Sequence, residues 1–210
     1  MSVLLFPRPD YAHALADQLL APSGLHTSVR SGVFLSNIRR VGKSTFLRNE
    51  LMPELRQRGA IVIYVDLWAD VNRAPLDLVL EAVRAELRTL QGAGHGLLKR
   101  VKGASLGAAG LSFSFQLDTL GLPGGATLAQ AIHELVQKAE TDVVLIVDEV
   151  QQAAGTAGTA LMAALKAARD AVNGDPGAQG HFLFIGTGSH RSLMNDMATK
   201  PSHPFKGAVT

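Results

Sequence analysis

The 210 residues contain no cysteine, which excludes disulfides, zinc–thiolate centres and thiol nucleophiles together. An excess of one charge is also missing. Twenty Lys and Arg against eighteen Asp and Glu leave +2, so the pI near 9.1 reflects a small surplus and not a basic face built to neutralise many phosphates. Long hydrophobic runs are absent too. MSVLLFPRPDYAH opens with only four apolar residues in a row before Pro7, too short for the h-region of a signal peptide, and no stretch approaches the roughly 20 apolar residues of a membrane span. A soluble, cytoplasmic protein without membrane association is the expectation. The seven histidines have no ligand spacing, so no zinc is assigned, and there is no internal repeat.

What is present is a 47% hydrophobic chain whose length suits one α/β core. Ser31 to Ser36 (SGVFLS) and Ala60 to Leu67 (AIVIYVDL) read as buried strands. Between them Thr45 to Arg58 reads as a helix, with Pro53 as a kink and Gly59 as its stop. Val143 to Val147 and Phe182 to Ile185 read as two further strands. The helix before the third strand opens with a capping box at Thr127 and Gln130, and the helix before the fourth ends near Asn173-Gly174. Strands alternating with helices predict a parallel sheet covered on both faces. The reading is a single domain over 1–210, with an N-terminal helical segment at 7–24 and a flexible inserted segment at 91–126. In that insert the alternation of Leu111, Phe113, Phe115 and Leu117 predicts an extra strand between Gly-rich flanks.

The most specific signal is NIRRVGKST, Asn37 to Thr45. A phosphate cradle needs backbone N–H groups turned inward at a helix N-terminus, a lysine for the terminal phosphates and a hydroxyl for magnesium. Gly42, Lys43, Ser44 and Thr45 supply these, and Asn37, Ile38, Arg39, Arg40 and Val41 complete the loop. Against G-x-x-x-x-G-K-[ST] only the first position departs, with Asn37 in place of glycine. Asparagine enters the left-handed region cheaply, so the loop can still close.

A second signal is VVLIVDE, an apolar strand that ends in Asp148 and Glu149. It places Asp148 at the carboxyl edge of the sheet, where ligands of open α/β sheets bind. There Asp148 suits magnesium and Glu149 suits the polarisation of an attacking water. A third is GTGSHR at the end of the next strand, where Thr187, and after it Ser189, are candidates for touching the γ-phosphate, with Arg191 a weaker phosphate sensor. Asp66 and Trp68 end the second strand and read as a solvated carboxylate and a packed ring.

NIRRVGKST, VVLIVDEVQQ and FLFIGTGS, in that order and spacing, resemble the P-loop ATPases of the additional-strand (ASCE) division. Within it they are most similar to the AAA-like group that includes archaeal-type and STAND-type ATPases. The resemblance covers about Ser31 to Ser189. It implies a three-layer fold with a mostly parallel sheet of order 5-1-4-3-2, with ATP and Mg2+ as cofactors. It also implies Lys43 on the β- and γ-phosphates, Ser44 and Asp148 serving magnesium, and Glu149 activating water. PSHPFKGAVT stands where that family goes on to a fifth strand and a helical lid, so a minimal core lacking both is expected. Such proteins draw a transition-state arginine from the lid or a neighbouring subunit, which implies an ATPase slow in isolation and a homo-oligomer or partner protein.

The absence of Asn-Lys-x-Asp, and of Asp-x-x-Gly at Asp148, argues against guanine specificity. A small-molecule kinase fits the loop, but the acidic pair suits water better than an acceptor hydroxyl. A switch or assembly module with little turnover is the rival from another class. A nucleic-acid module rests only on Arg39, Arg40 and the Lys99-Arg100-Lys102 cluster, which read as solvated charge. Asn37 generates a direct expectation. Restoring glycine with Asn37→Gly should tighten ATP binding or raise turnover, by the equivalent of about 1 kcal/mol, the scale of a position that prefers glycine. Equal or weaker binding in a titration against the parent would mean that Asn37 is tolerated, or even contributes a contact.

Overall fold

A computed structural model describes residues 7–21, 24–36, 42–92, 111–200 and 203–210. Four apolar segments form its sheet: β1 (Val33–Ser36), β2 (Ile61–Asp66), β3 (Val143–Asp148) and β4 (Phe182–Gly188). All pairings are parallel, in the order β1-β4-β3-β2. This is the 1-4-3-2 portion of the expected 5-1-4-3-2 order. Val209 forms a single parallel bridge with Val33 on the outer side of β1, where a fifth strand belongs.

Continuous apolar strands follow from burial on both faces. Successive side chains point to opposite sides, and the core divides accordingly. Val62, Val144, Ile146, Leu183 and Ile185 pack with Leu19, Phe46, Leu51 and Leu55 on one face. That layer holds α1 (Pro9–Leu20), within the expected N-terminal helical segment, and the helices that follow β1. Ile63, Val65, Leu145, Val147 and Phe184 pack on the other face, under α4 (Pro75–Gly92), α5 (Leu128–Ala139), α6 (Thr156–Asn173) and α7 (Arg191–Thr199).

The helix expected at Thr45 starts two residues earlier. It consists of α2 (Lys43–Phe46), a π turn (Leu47–Leu51) and α3 (Met52–Gln57), end to end. The π turn resets the hydrogen-bond register just ahead of Pro53, which then sits in the first turn of α3, where its missing N–H costs little. The capping box forms, with Thr127 and Gln130 each bonded to the other's backbone N–H. Asn173 ends α6 and holds β4 in place, its amide accepting from the N–H of Phe182 at 2.8 Å and donating to its carbonyl at 2.9 Å.

The expected inserted strand is corrected. Leu111 to Leu117 is irregular and ends in a 3-10 turn at Leu117–Thr119. The alternation does place Leu111 and Leu117 in the core, but the segment pairs with no strand among the described residues. Side chains of α5 take over its polar groups instead, Glu134 accepting from both the N–H and the hydroxyl of Ser114 at 2.6 Å. Residues 93–110 of the insert, with the Lys99-Arg100-Lys102 cluster among them, lie outside the described residues.

Candidate functional site

Parallel pairing in register carries the polar strand ends to one edge. Asp66 lies beside Asp148, Leu35 beside Thr187 and Ser36 beside Gly188. Alternation then decides which way each side chain faces. Tyr64, Asp148 and Thr187 share the parity of Val62, Ile146 and Ile185, so all three face the layer that contains α2.

Gly42 precedes α2 with φ 78 and ψ 28, a left-handed conformation that strains any residue with a Cβ. The helix therefore begins at Lys43, and Lys43, Ser44 and Thr45 form its first turn, the position at which backbone N–H groups and the helix dipole favour an anion. Asn37, Ile38, Arg39, Arg40 and Val41 lie outside the described residues.

Ser44 stands near enough to Asp148 for its hydroxyl to favour the ionised carboxylate. Thr187 donates its hydroxyl to Oδ1 of Asp148, the phenol of Tyr64 donates to Oδ2 at 2.8 Å, and the N–H of Glu149 reaches Oδ1 at 3.0 Å. Burial alone would raise the Asp148 carboxyl above its ordinary value near 3.8, but Ser44 and these three hydrogen bonds outweigh it and hold the group below that value. For Tyr64 burial and the carboxylate act in the same direction, against Arg48. Burial first, and then the facing carboxylate, push its phenol far above 10.0, so it remains a donor. Arg48 lies over the Tyr64 ring, 4.6 Å from its centroid, and pairs with Asp66 at 3.9 Å.

Glu149 adopts φ 55 and ψ 40, one of two non-glycine residues with positive φ among the described residues. A left-handed residue with a side chain costs about 1–2 kcal/mol, and here it turns the chain sharply out of β3. The half-buried Glu149 carboxylate accepts from the side-chain amide of Gln151. Thr187 is buried, and its hydroxyl is committed to Asp148. Trp68 is 46% exposed, against the expected buried ring, and Asp66 is half-buried, accepting from the N–H of Trp68 at 2.9 Å.

A cavity of about 430 Å³ adjoins this cluster. Lys43, Thr187, Ser36, Arg8 and Arg191 line it together with apolar side chains of α1, β1 and the π turn. Arg8 is a residue that the sequence did not single out. Its guanidinium donates to the carbonyl of Gly42 at 3.1 Å and stacks on Phe46, 4.9 Å from the ring centroid. No sequence signal marked it, since its partner lies 34 positions away. Tyr64 was also missed, although a hydroxyl-bearing residue inside an apolar strand was a usable sign.

Neither a family model nor a curated protein matches the sequence. Solved structures do. A Walker-type ATPase of Pyrococcus abyssi superposes with a TM-score of 0.62 at 20% identity, over 98% of this chain and 52% of that one. The ORC2 protein of Aeropyrum pernix, determined in ADPNP–ADP complexes, superposes with a TM-score of 0.53 at 15% identity, over 95% and 45%. The fold is that of the P-loop ATPases of the ASCE type. This chain spans about half the length of those solved chains.

In this P-loop fold the buried aspartate at the end of β3 is tied to the stability of the sheet edge. Because the Asp148 carboxyl is depressed in the folded state, its contribution is present above the unfolded value and is lost as pH falls through the folded one. The unfolding free energy of the parent should therefore drop more steeply below about pH 4 than that of Asp148→Asn. Denaturant titrations over the acid range give both slopes, and identical slopes would contradict this account of Asp148.

Proposed function

We propose that this chain binds ATP with magnesium and hydrolyses it to ADP and phosphate, with the cycle coupled to a conformational change. The observation that carries the reading is the nearness of Ser44, in the first turn of α2, to the Asp148 carboxylate, which Thr187 and Tyr64 hold at the end of β3. It brings together the two oxygen ligands that magnesium needs from the protein. No cluster of three or more His, Asp or Glu is present among the described residues, which fits an ion held by one carboxylate, one hydroxyl and the phosphates. Bound there, magnesium neutralises charge on the β- and γ-phosphates.

The protein residues divide the remaining work. Lys43 meets the terminal phosphates, with the N–H groups of the loop from Asn37 to Thr45 around them. Glu149 orients and polarises the water. Thr187 keeps Asp148 aimed at Ser44, and Ser189 and Arg191 stand next to the γ-phosphate position. The apolar part of the cavity, formed by Tyr11, Leu15, Leu19, Val29, Leu47 and Val209, has the size and character for the adenine ring. Work in the cytoplasm, with a second copy or a partner protein supplying a transition-state cation, completes the proposal. No helix among the described residues is long and apolar enough to cross a membrane.

A second reading, a nucleotide-dependent switch with little turnover, is favoured by Asn37 at the position where the phosphate-loop pattern has glycine. Two variants separate these readings and test both. Lys43→Ala, which removes a charged contact to phosphate, should weaken ATP binding about 10- to 10²-fold. Glu149→Gln should lower phosphate release by about 10²-fold or more, the scale of a lost general base, while ATP affinity stays at the parent value. Calorimetric binding and phosphate release on the same preparations give the comparison. Unchanged binding by a folded Lys43→Ala protein would remove the phosphate-loop assignment, and unchanged release by Glu149→Gln would remove the role of Glu149.

A further inference from the structure

Gln151 lies two residues beyond Glu149, in the 3-10 turn Val150–Ala153, and is only 6% exposed. Long polar side chains seldom occupy such positions unless both ends of the amide are paired. Here one end is. Nε2 donates to Oε2 of Glu149, whereas Oε1 is buried without a hydrogen-bond partner. The opposite orientation of the amide would set its oxygen against the carboxylate, so the donor must face an ionised Glu149.

The unpaired oxygen has a defined neighbour. A Cβ built on Gly188, the last residue of β4, would sit 2.1 Å from Oε1 and 3.1 Å from Sδ of Met194. Gly188 has no unusual backbone conformation that would require glycine, as its φ lies outside the left-handed region. Its lack of a side chain is therefore a matter of space, and the space is filled by the Gln151 amide. Gly188 follows directly on Thr187, which donates to Asp148. One short relay thus connects the end of β4, the buried amide and the carboxylate of Glu149.

We propose that Gln151 is a positioning residue that clamps the carboxylate of Glu149, and that the end of β4 holds Gln151 in the clamping pose. The proposal rests on the reading of Glu149 as the group that activates water. The clamp fixes a side chain that leaves β3 on a strained residue and that would otherwise select among rotamers. Because its oxygen is buried unpaired, the amide is held by packing on one side and by a hydrogen bond on the other. Movement at the end of β4, where Thr187, Ser189 and Arg191 stand near the phosphate position, shifts Gln151 and with it Glu149.

Gln151→Met keeps the length and volume of the side chain and removes the donor, so a role in packing alone is preserved by it. The clamp predicts that kcat for phosphate release falls about 10²-fold, the scale of a catalytic group misplaced by an ångström, while ATP affinity stays within about twofold and KM follows affinity. Gly188→Ala, which touches neither carboxylate nor amide chemically but intrudes on Oε1, should lower kcat in the same direction. A readout independent of turnover is the side-chain amide of Gln151 by NMR in nucleotide-free protein. One of its protons should be shifted downfield and protected from exchange, and both features should disappear in Glu149→Ala. A parent that binds ATP but releases no phosphate removes the hydrolytic reading, and the amide resonance then decides the clamp by itself. Parent-like kcat in folded Gln151→Met, or a Gln151 amide resonance unmoved by Glu149→Ala, overturns the proposal.

Discussion

A carboxylate at the end of a buried strand sets the terms for the rest of the molecule. Asp148 is 1% exposed, and an unpaired charge at that depth costs several kcal/mol. It is retained because four donors from four places converge on it: the helix after β1 gives Ser44, β2 gives Tyr64, β4 gives Thr187, and the chain itself gives the N–H of Glu149. The order β1-β4-β3-β2 places β2 and β4 on either side of β3, and only with that arrangement do Tyr64 and Thr187 flank the carboxylate on one face. Fold and site are in this sense one solution. Moving any of the three strands by one register position would turn a donor to the opposite face.

The same convergence explains how local strain is tolerated. Glu149 in the left-handed region and the orphaned oxygen of Gln151 are each unfavourable, on the order of 1–3 kcal/mol. Both stand directly above two hydrophobic layers with fully buried side chains such as Leu145, Val147, Ile185 and Phe184, which over-determine the backbone around them. Strain of this kind gathers where a side chain must be presented in one direction. The Asp148-Glu149 pair divides the work accordingly. The first carboxylate is kept ionised and stationary by hydroxyls, and the second is exposed enough to meet water yet restrained by an amide.

Much of this was legible in the sequence, for a physical reason. Strands buried on both faces must be apolar throughout, so VFLS, IVIYVD, VVLIVD and FLFIG announced themselves, and Gly42-Lys43-Ser44 and Asp148-Glu149 at their ends marked the site. The portions that were not legible depend on distance along the chain. Tyr64 reaches a partner 84 residues away, and Arg8 reaches Gly42 from before α1. In LSFSFQL the period of two was real, but it reports which side chains are buried and not whether a partner strand exists to complete a ladder. A large ring such as Trp68 is expected to be buried, whereas the loop after β2 leaves it nearly half exposed.

The central claim is that Ser44 and Asp148 together form a metal-dependent nucleotide site. Calorimetric titration of ATP in magnesium and in chelator, into the parent and into Ser44→Ala, tests it most directly. The account predicts that the parent binds ATP in both solutions and more tightly with magnesium, and that Ser44→Ala retains the metal-independent binding but loses the gain from magnesium. Parent binding that is absent, or that is unaffected by magnesium, would contradict it.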